Sequence, residues 1–211
     1  MPVDALLYPV NLVVDGLPCL VVGGGAIAAR KAAGLRDCGA RVHVVASTVG
    51  AEVRALDGVT WEERPYAAGD VIGYRLVMAA TDDADVNARV YEDGSAAAVW
   101  VNSADDPAHC SFTLPAVARR GPLTVAVSTG GHSPALAAWL RRHVDTEMGP
   151  EYETLLALLS EERTRVRAGG GSTESLDWQK ALDSDMLALI RAGQVQQARE
   201  RLQACLSSSS D

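Results

Sequence analysis

The sequence lacks several features that mark particular classes of protein. No apolar run approaches the roughly 18 residues of a membrane span, and the first residues do not resemble a secretory signal, so we expect a cytosolic protein with no membrane partner. Basic residues are scarce, because 19 Lys and Arg stand against 27 Asp and Glu for a net charge of −8. This balance argues against a general nucleic-acid or membrane-surface binder.

The cysteines and histidines do not form a recognisable metal motif. The four cysteines include no C-x-x-C pair, which favours small buried thiols over disulfides or structural zinc. His109 and Cys110 are neighbours, and neighbouring side chains of an extended segment point apart. His132 is a single candidate ligand, and a lone histidine is more often a hydrogen-bonding residue. The sequence therefore predicts no permanently bound metal.

The most informative segment is a glycine-rich stretch near the start of the chain. The apolar residues 20–22 predict a buried strand, and a G-x-G-x-x-A pattern follows them. Gly23 permits a tight turn, Gly25 leaves room for a pyrophosphate, and Ala28 lets the next helix pack closely on the strand. The first amides of that helix would face the phosphates. The predicted dinucleotide-binding residues here are Gly23, Gly24, Gly25, Ala26 and Ile27.

The flanking sequence favours a dinucleotide site over an ordinary glycine turn. A helix is predicted over residues 26–38, with Gly39 as its left-handed cap, and a second strand over residues 42–46. The acidic residue that usually binds the ribose 2′-hydroxyl after the second strand is missing, because Ser47 and Thr48 stand there. Their hydroxyls are the candidate ribose ligands. The choice between NAD and NADP stays open by this criterion.

The α/β alternation continues. Three further strands are predicted at residues 59–63, which alternate like a half-buried strand, 75–80 and 98–101, and a helix is predicted at residues 84–97. In a parallel sheet the loops after the strands line one crevice, which is where such folds bind ligands. Thr81, Asp82 and Asn102 lie in these loops and are predicted cofactor ligands. Thr81 and Asp82 are also candidates to cap the helix, and the two roles are compatible.

The second half predicts one strand and then helices. The strand covers residues 123–128, and a glycine-rich turn leads into a helix over residues 135–148. Ser133 is the predicted cap of that helix and Pro134 its first residue. Three more helices are predicted before a polar tail: residues 151–167, 174–191 and 194–206.

Four blocks of the chain carry a resemblance: VVGGGAIAARKA, AATDDADVN, VNSADDPAHCSFTLPA and RRGPLTVAVSTGGHSPALAAWLR. In this order and spacing they resemble the precorrin-2 dehydrogenase family, the module that also forms the N-terminal part of siroheme synthase. The resemblance implies NAD-dependent oxidation of precorrin-2 to sirohydrochlorin in siroheme biosynthesis. It also implies a homodimer and, in some members, insertion of ferrous iron, which this sequence leaves open.

The element pattern and the resemblance together predict the domain organisation. We expect an α/β chain with a Rossmann-like parallel sheet, the NAD-binding domain, over residues 1–113. A dimerisation and substrate-facing segment follows over residues 114–150, and a small helical C-terminal domain with a disordered tail over residues 151–211. A chain of 211 residues with 48% apolar composition can bury one good core and a smaller appendage.

The resemblance assigns the catalytic role to Asp105. The essential aspartate of the family lies in an N-V-V-D segment, which residues 102–105 match as Asn-Ser-Ala-Asp. A carboxylate beside the substrate can act as general base when the macrocycle loses a hydride to the nicotinamide. From the residues alone, Asp105, Asp106 and Pro107 form an ordinary turn.

The resemblance also implies a segment that faces the tetrapyrrole. The sequence S-T-G-G matches that segment, and Thr129 stands where some members carry a phosphorylatable serine. Because the tetrapyrrole carries many carboxylates, basic side chains near this segment are predicted to attract it. The predicted substrate ligands are Ser128, Thr129, Gly130, Gly131, His132, Arg119 and Arg120. Each has an ordinary alternative, as part of a helix-entry loop or as a solvated surface residue.

Two other functions fit parts of the pattern. A non-catalytic dinucleotide-sensing regulator would also combine a Rossmann domain with a helical tail, but one acting on DNA would need a basic recognition helix, and none is apparent. A dehydrogenase for a small hydroxy acid would usually need a histidine base paired with an arginine, and the predicted crevice offers aspartates instead. Oxidation of precorrin-2 is the function that we expect.

Overall fold

The computed structural model describes residues 6–104 and 106–207. Within them the chain divides into two compact units. The first contains the residues up to Leu114 together with Thr129–Pro134, and the second contains Pro115–Ser128 and the residues from Ala135 onward. The catalytic candidate Asp105 and the last residues of the predicted tail lie outside the described residues.

A five-stranded parallel sheet forms the centre of the first unit, as the predicted fold class requires. Its strands are β1 (Pro18–Val22), β2 (Arg41–Ala46), β3 (Thr60–Glu63), β4 (Leu76–Ala79) and β5 (Trp100–Ser103). Their order is β3-β2-β1-β4-β5, and all neighbours are parallel. From β1 the chain adds β2 and β3 on one side and then β4 and β5 on the other. The loops after β1 and β4 therefore lie next to each other where the strand order reverses.

Helices cover both faces of this sheet: α1 (Ala26–Asp37) and α2 (Ala51–Arg54) on one face, and α3 (Ala84–Ala96) on the other. The side chains of successive residues of β1 point to the two faces of the sheet in turn. Cys19 and Val21 belong to the core under α1, whereas Leu20 and Val22 belong to the core under α3. Because both faces are buried, β1 is apolar at successive positions and does not alternate with polar residues.

The second unit combines a β-ribbon with helices: β6 (Ala116–Arg120), β7 (Leu123–Val127), α4 (Pro134–Glu147), α5 (Glu151–Ala168), α6 (Trp178–Leu182), α7 (Met186–Arg191) and α8 (Val195–Ser207). Leu155 and Leu158 of α5 share a buried cluster with Met186, Ile190 and Leu202 from the later helices. None of the helices in the described part of the chain has the length and apolar character needed to cross a membrane.

Two local signals in the sequence predicted helix ends correctly. Gly39 follows α1 with a φ of +82°, the left-handed conformation that a glycine cap provides. Its amide donates to the carbonyl of Arg36, and the next amide, from Ala40, donates to the carbonyl of Leu35. Pro134 is the first residue of α4, as its fixed φ favours.

The structure corrects three predictions of secondary structure. The half-buried strand expected at residues 59–63 is exposed at all four positions of β3, because β3 is the edge of the sheet. The helix expected over residues 174–191 is broken into α6 and α7, and the hydroxyl of Ser184 bonds to the carbonyl of Ala181 at the break. The strand β6 was not predicted, although a turn at residues 121–122 separates it from its antiparallel partner β7.

Two glycines inside helices provide a test of packing in the first unit. A Cβ at Gly94 in α3 would overlap the side chain of Val101 on β5, whereas a Cβ at Gly34 in α1 would meet nothing within 4 Å. We expect Gly94→Ala to lower the free energy of unfolding by about 1–3 kcal/mol through overpacking. Gly34→Ala should raise it by about 0.5–1 kcal/mol through helix propensity. Urea unfolding followed by circular dichroism measures both, and equal effects would contradict the packing argument.

Candidate functional site

The glycine loop after β1 packs between the loops that follow β2 and β4. Gly23 has a φ of +126°, and a Cβ on it would overlap the carbonyl oxygen of Ala80. A Cβ on Gly24 would overlap the carbonyl oxygen of Thr48 in the same way. Only glycine allows both contacts, because any side chain would push the neighbouring backbone away.

The third glycine differs, because the space beside it is open. Gly25 is exposed, and a Cβ on it would meet nothing within 4 Å. It is the N-cap of α1, and no side chain of the described residues caps that helix start. Ala26 and Ile27 are exposed in the first turn, while Ala28 is fully buried and brings α1 close to the sheet. An open backbone surface at a helix start suits a pyrophosphate, so these residues fit a dinucleotide.

The loop after β2 carries the predicted ribose ligands. Ser47 and Thr48 follow β2 directly, and both are exposed. The loop is fixed to the glycine loop, because the amide of Gly50 donates to the carbonyl of Gly24 at 2.9 Å. Two hydroxyls are therefore presented beside the glycine loop, where the sequence analysis expects the ribose.

The loop after β4 is held by a side chain that the sequence analysis missed. Asn87 of α3 is 6% exposed, and its Oδ1 accepts from the amide (3.2 Å) and the hydroxyl (2.8 Å) of Thr81. Its Nδ2 donates to the carbonyl of Thr81 at 3.0 Å. The sequence does contain a sign of this role, because Asn87 is a polar residue three positions before the apolar Val90 and so falls on the inward face of the helix. Asn87 thus positions the loop that bears Thr81 and Asp82.

The predicted capping role of Thr81 and Asp82 is wrong, because Asp83 caps α3. The Asp83 carboxylate accepts from the amides of Asp85 (2.9 Å) and Val86 (3.1 Å). A cap must directly precede the first helical residue, and only Asp83 does so here. The exposed Asp82 stays a predicted cofactor ligand.

The side chain of Asn102, another predicted cofactor ligand, anchors the chain after β5. Asn102 is 7% exposed, and its Nδ2 donates to the carbonyl of Phe112 at 2.9 Å and to the sulfur of Cys110 at 3.5 Å. The Cys110 sulfur also accepts from the amide of Ser103 at 3.2 Å, and burial raises the pKa of this thiol. These contacts fix the segment that returns to the sheet. A contact between Asn102 and a cofactor stays a prediction.

Asp106 organises the turn that follows Asp105, which itself lies outside the described residues. The Asp106 carboxylate is 2.6 Å from Nδ1 of His109, at the other end of the 3₁₀ helix Pro107–His109. This hydrogen bond lowers the pKa of the Asp106 carboxyl. The His109 ring meets the ring of Tyr91 edge-on, with 5.3 Å between their centroids. Within residues 6–104 and 106–207, no group of three or more His, Cys, Asp or Glu could hold a metal ion.

The predicted substrate ligands are divided between the two units. Thr129, Gly130, Gly131 and His132 belong to the first unit, and Ser128, Arg119 and Arg120 belong to the second. The guanidinium of Arg120 is 2.9 Å from the carboxylate of Asp145, which also lies 3.8 Å from Arg141. The charge of Arg120 is therefore matched within its own unit. Binding of a substrate by these residues stays a prediction.

Comparisons with known proteins cover both halves of the chain. A family model for NAD(P)-binding proteins matches residues 10–116, and a model for the central region of sirohaem biosynthesis proteins matches residues 120–146. The chain is 38% identical to the siroheme synthase of Nitrosococcus oceani and 37% identical to that of Thioalkalivibrio sulfidiphilus. The alignments cover 94% and 97% of this chain but 43% of each relative. The chain thus spans less than half the length of these curated relatives.

A solved structure provides a comparison over most of the chain. The precorrin-2 dehydrogenase SirC has a TM-score of 0.66 against this chain at 27% sequence identity. The alignment covers 94% of this chain and 98% of SirC. The likeness therefore extends past the parallel sheet into the second unit.

Gly25→Asp tests the glycine loop without disturbing the fold. Aspartate is a favoured N-cap, so α1 should be preserved or stabilised, while the new carboxylate would enter the open space and repel a pyrophosphate. We expect calorimetry to show loss of NAD binding with no fall in melting temperature. Gly34→Ala, also in α1, is the matched control and should bind normally. Unchanged affinity in Gly25→Asp would place the dinucleotide elsewhere.

Proposed function

Because this chain belongs to the family of precorrin-2 dehydrogenase and siroheme synthase, we propose that it oxidises precorrin-2 to sirohydrochlorin with NAD as cofactor. The observation that carries the proposal is the likeness to SirC, of which this chain covers 98%. The open glycine loop supports it independently, because this loop fits the pyrophosphate of a dinucleotide. The proposal is limited to the oxidation, since the siroheme synthases are more than twice as long as the part that matches.

The cofactor site is built from the loops at the carboxyl ends of the strands. NAD, when bound, supplies the acceptor for a hydride. Gly25 and the first turn of α1 would hold the pyrophosphate, and the hydroxyls of Ser47 and Thr48 would bind ribose. The loop of Thr81, positioned by Asn87, lines the crevice where the strand order reverses.

The substrate proton is assigned to Asp105. Oxidation removes a hydride and a proton from the macrocycle, and a carboxylate at the crevice can accept that proton. The segment of residues 128–131 and the basic side chains of Arg119, Arg120 and His132 are proposed to bind the tetrapyrrole carboxylates. If the same site also inserts ferrous iron, Asp105 would accept the pyrrole protons that the metal displaces.

The decisive experiment is anaerobic incubation of the chain with precorrin-2 and NAD, followed by absorption spectroscopy. We expect the sirohydrochlorin spectrum to appear in step with NADH. A dinucleotide-sensing regulator would bind NAD without forming this product, and a hydroxy-acid dehydrogenase would leave precorrin-2 unchanged. Absence of sirohydrochlorin under these conditions would reject the proposed function.

Asp105→Asn tests the general base. The variant keeps the size of the side chain and removes its basic site, so turnover should fall by about 10²–10⁴-fold while the calorimetric affinity for NAD stays unchanged. Asp106→Asn is the matched control, because an amide can still bond to His109 and keep the turn. Its turnover should fall much less. Equal losses of turnover in the two variants would indicate that Asp105 is only a turn residue and that another group accepts the proton.

We propose that the chain forms a homodimer through the region of β7 and α4. Leu136 and Trp139 are 48% and 55% exposed and stand three positions apart on α4, so they form an apolar patch that a second subunit would cover. Trp139→Glu should therefore shift the sedimentation coefficient from that of a dimer toward that of a monomer at micromolar concentration. Trp100→Glu, at an exposed tryptophan of β5, is the control and should stay dimeric. A wild-type monomer would contradict the proposal.

A further inference from the structure

The ribose end of the cofactor site lacks the acid that a dinucleotide fold usually provides after its second strand. Ser47 and Thr48 offer hydroxyls there, which can bind a ribose but carry no charge to repel a 2′-phosphate. A charge that discriminates between NAD and NADP at this site would therefore have to come from another element.

Glu63, the last residue of β3, lies beside the position where the acid is missing. It is in register with Ala46, the last residue of β2. Its Oε2 accepts a hydrogen bond from the amide of Val49 at 3.4 Å. The next residue, Gly50, donates to the carbonyl of Gly24 at 2.9 Å. One short loop thus contacts the Glu63 carboxylate on one side and the glycine loop on the other.

The same carboxylate is paired with an arginine that would otherwise suit a phosphate. Arg54, at the end of α2, forms an ion pair with Glu63 and donates its Nε to the carbonyl of Val49 at 3.0 Å. Its guanidinium also lies 4.2 Å from the ring centre of Trp61, a cation–π contact. Three contacts therefore hold Arg54 in place. The Glu63 side chain stays 42% exposed, so it can still meet a ligand.

We propose that Glu63 provides the missing carboxylate and makes the site selective for NAD. Glu63 accepts a hydrogen bond from the ribose 2′-hydroxyl of NAD and repels the 2′-phosphate of NADP. Its ion pair keeps Arg54 from binding that phosphate. The inference rests on the proposed function in one respect, that the glycine loop binds a dinucleotide.

The neighbouring acid Glu62 provides a matched control on the same strand. Successive residues of a strand point to opposite faces. Glu62 accordingly accepts from Nε of Arg64 at 2.7 Å and lies 3.7 Å from Nε2 of His43, whereas the amide of Val49 donates to Glu63. Replacing Glu62 removes the same charge from the protein as replacing Glu63, but at a different place.

The test is a set of calorimetric dissociation constants for NAD and NADP. Glu63→Gln keeps the size of the side chain and an oxygen for the amide of Val49, so the loop should stay in place. We expect this variant to bind NAD about tenfold more weakly and NADP about tenfold more tightly, the scale of one charged hydrogen bond. Adding Arg54→Gln should remove the part of the gain for NADP that comes from the freed guanidinium and leave the part that comes from the lost repulsion.

The control variant and the wild type separate this inference from the proposed function. Glu62→Gln should leave the ratio of the two dissociation constants within about twofold. Equal weakening of NAD and NADP in Glu63→Gln would make Glu63 a support of the loop and overturn the inference. A shift of the same size in Glu62→Gln would overturn it too, by reducing the effect to net charge. A wild-type chain that binds neither dinucleotide would overturn both the inference and the proposed function.

Discussion

Direct backbone contact around Gly23 and Gly24 is the constraint on which the first unit depends. The carbonyl oxygens of Ala80 and Thr48 occupy the space that side chains would fill at these two glycines. Three loops from three adjacent strands are thereby held against one another. Because the first two glycines fix the backbone, the third can stay open at the start of α1. The same glycine pattern thus fixes the loops at the carboxyl ends of the strands and leaves an open helix start, where we propose that a dinucleotide binds.

Two side-chain amides hold the loops further along the sheet in place. Asn87 bonds three times to Thr81, and Asn102 bonds to the segment that returns after β5. Both residues are buried and both bond to backbone carbonyls, and a buried amide usually has such partners. They fix the positions of loops without needing to take part in chemistry. Asn102 therefore anchors the end of β5, after which the proposed proton acceptor Asp105 follows in the sequence.

Backbone amides as well as basic side chains can attract an anionic ligand to this protein. The chain is acidic overall, at a net charge of −8, yet its proposed ligands are anionic. Several arginines are already paired with carboxylates, among them Arg54 with Glu63 and Arg120 with Asp145. The amides at the start of α1 are suited to a phosphate without adding a net charge to the protein. We propose that the carboxylate of Glu63, paired with Arg54, adjusts the selectivity between NAD and NADP.

The sequence by itself determined the features that rest on local chemistry. The glycine pattern, the cap at Gly39, the start of α4 at Pro134 and the alternation of strands and helices all follow from the conformations that neighbouring residues favour, so the Rossmann-like fold was predictable. Tertiary structure alone decided what depends on distant partners. The exposure of β3 follows from its place at the sheet edge, which no local pattern records. Asn87 and Glu63 make their contacts with loops from other parts of the chain only because folding brings them together.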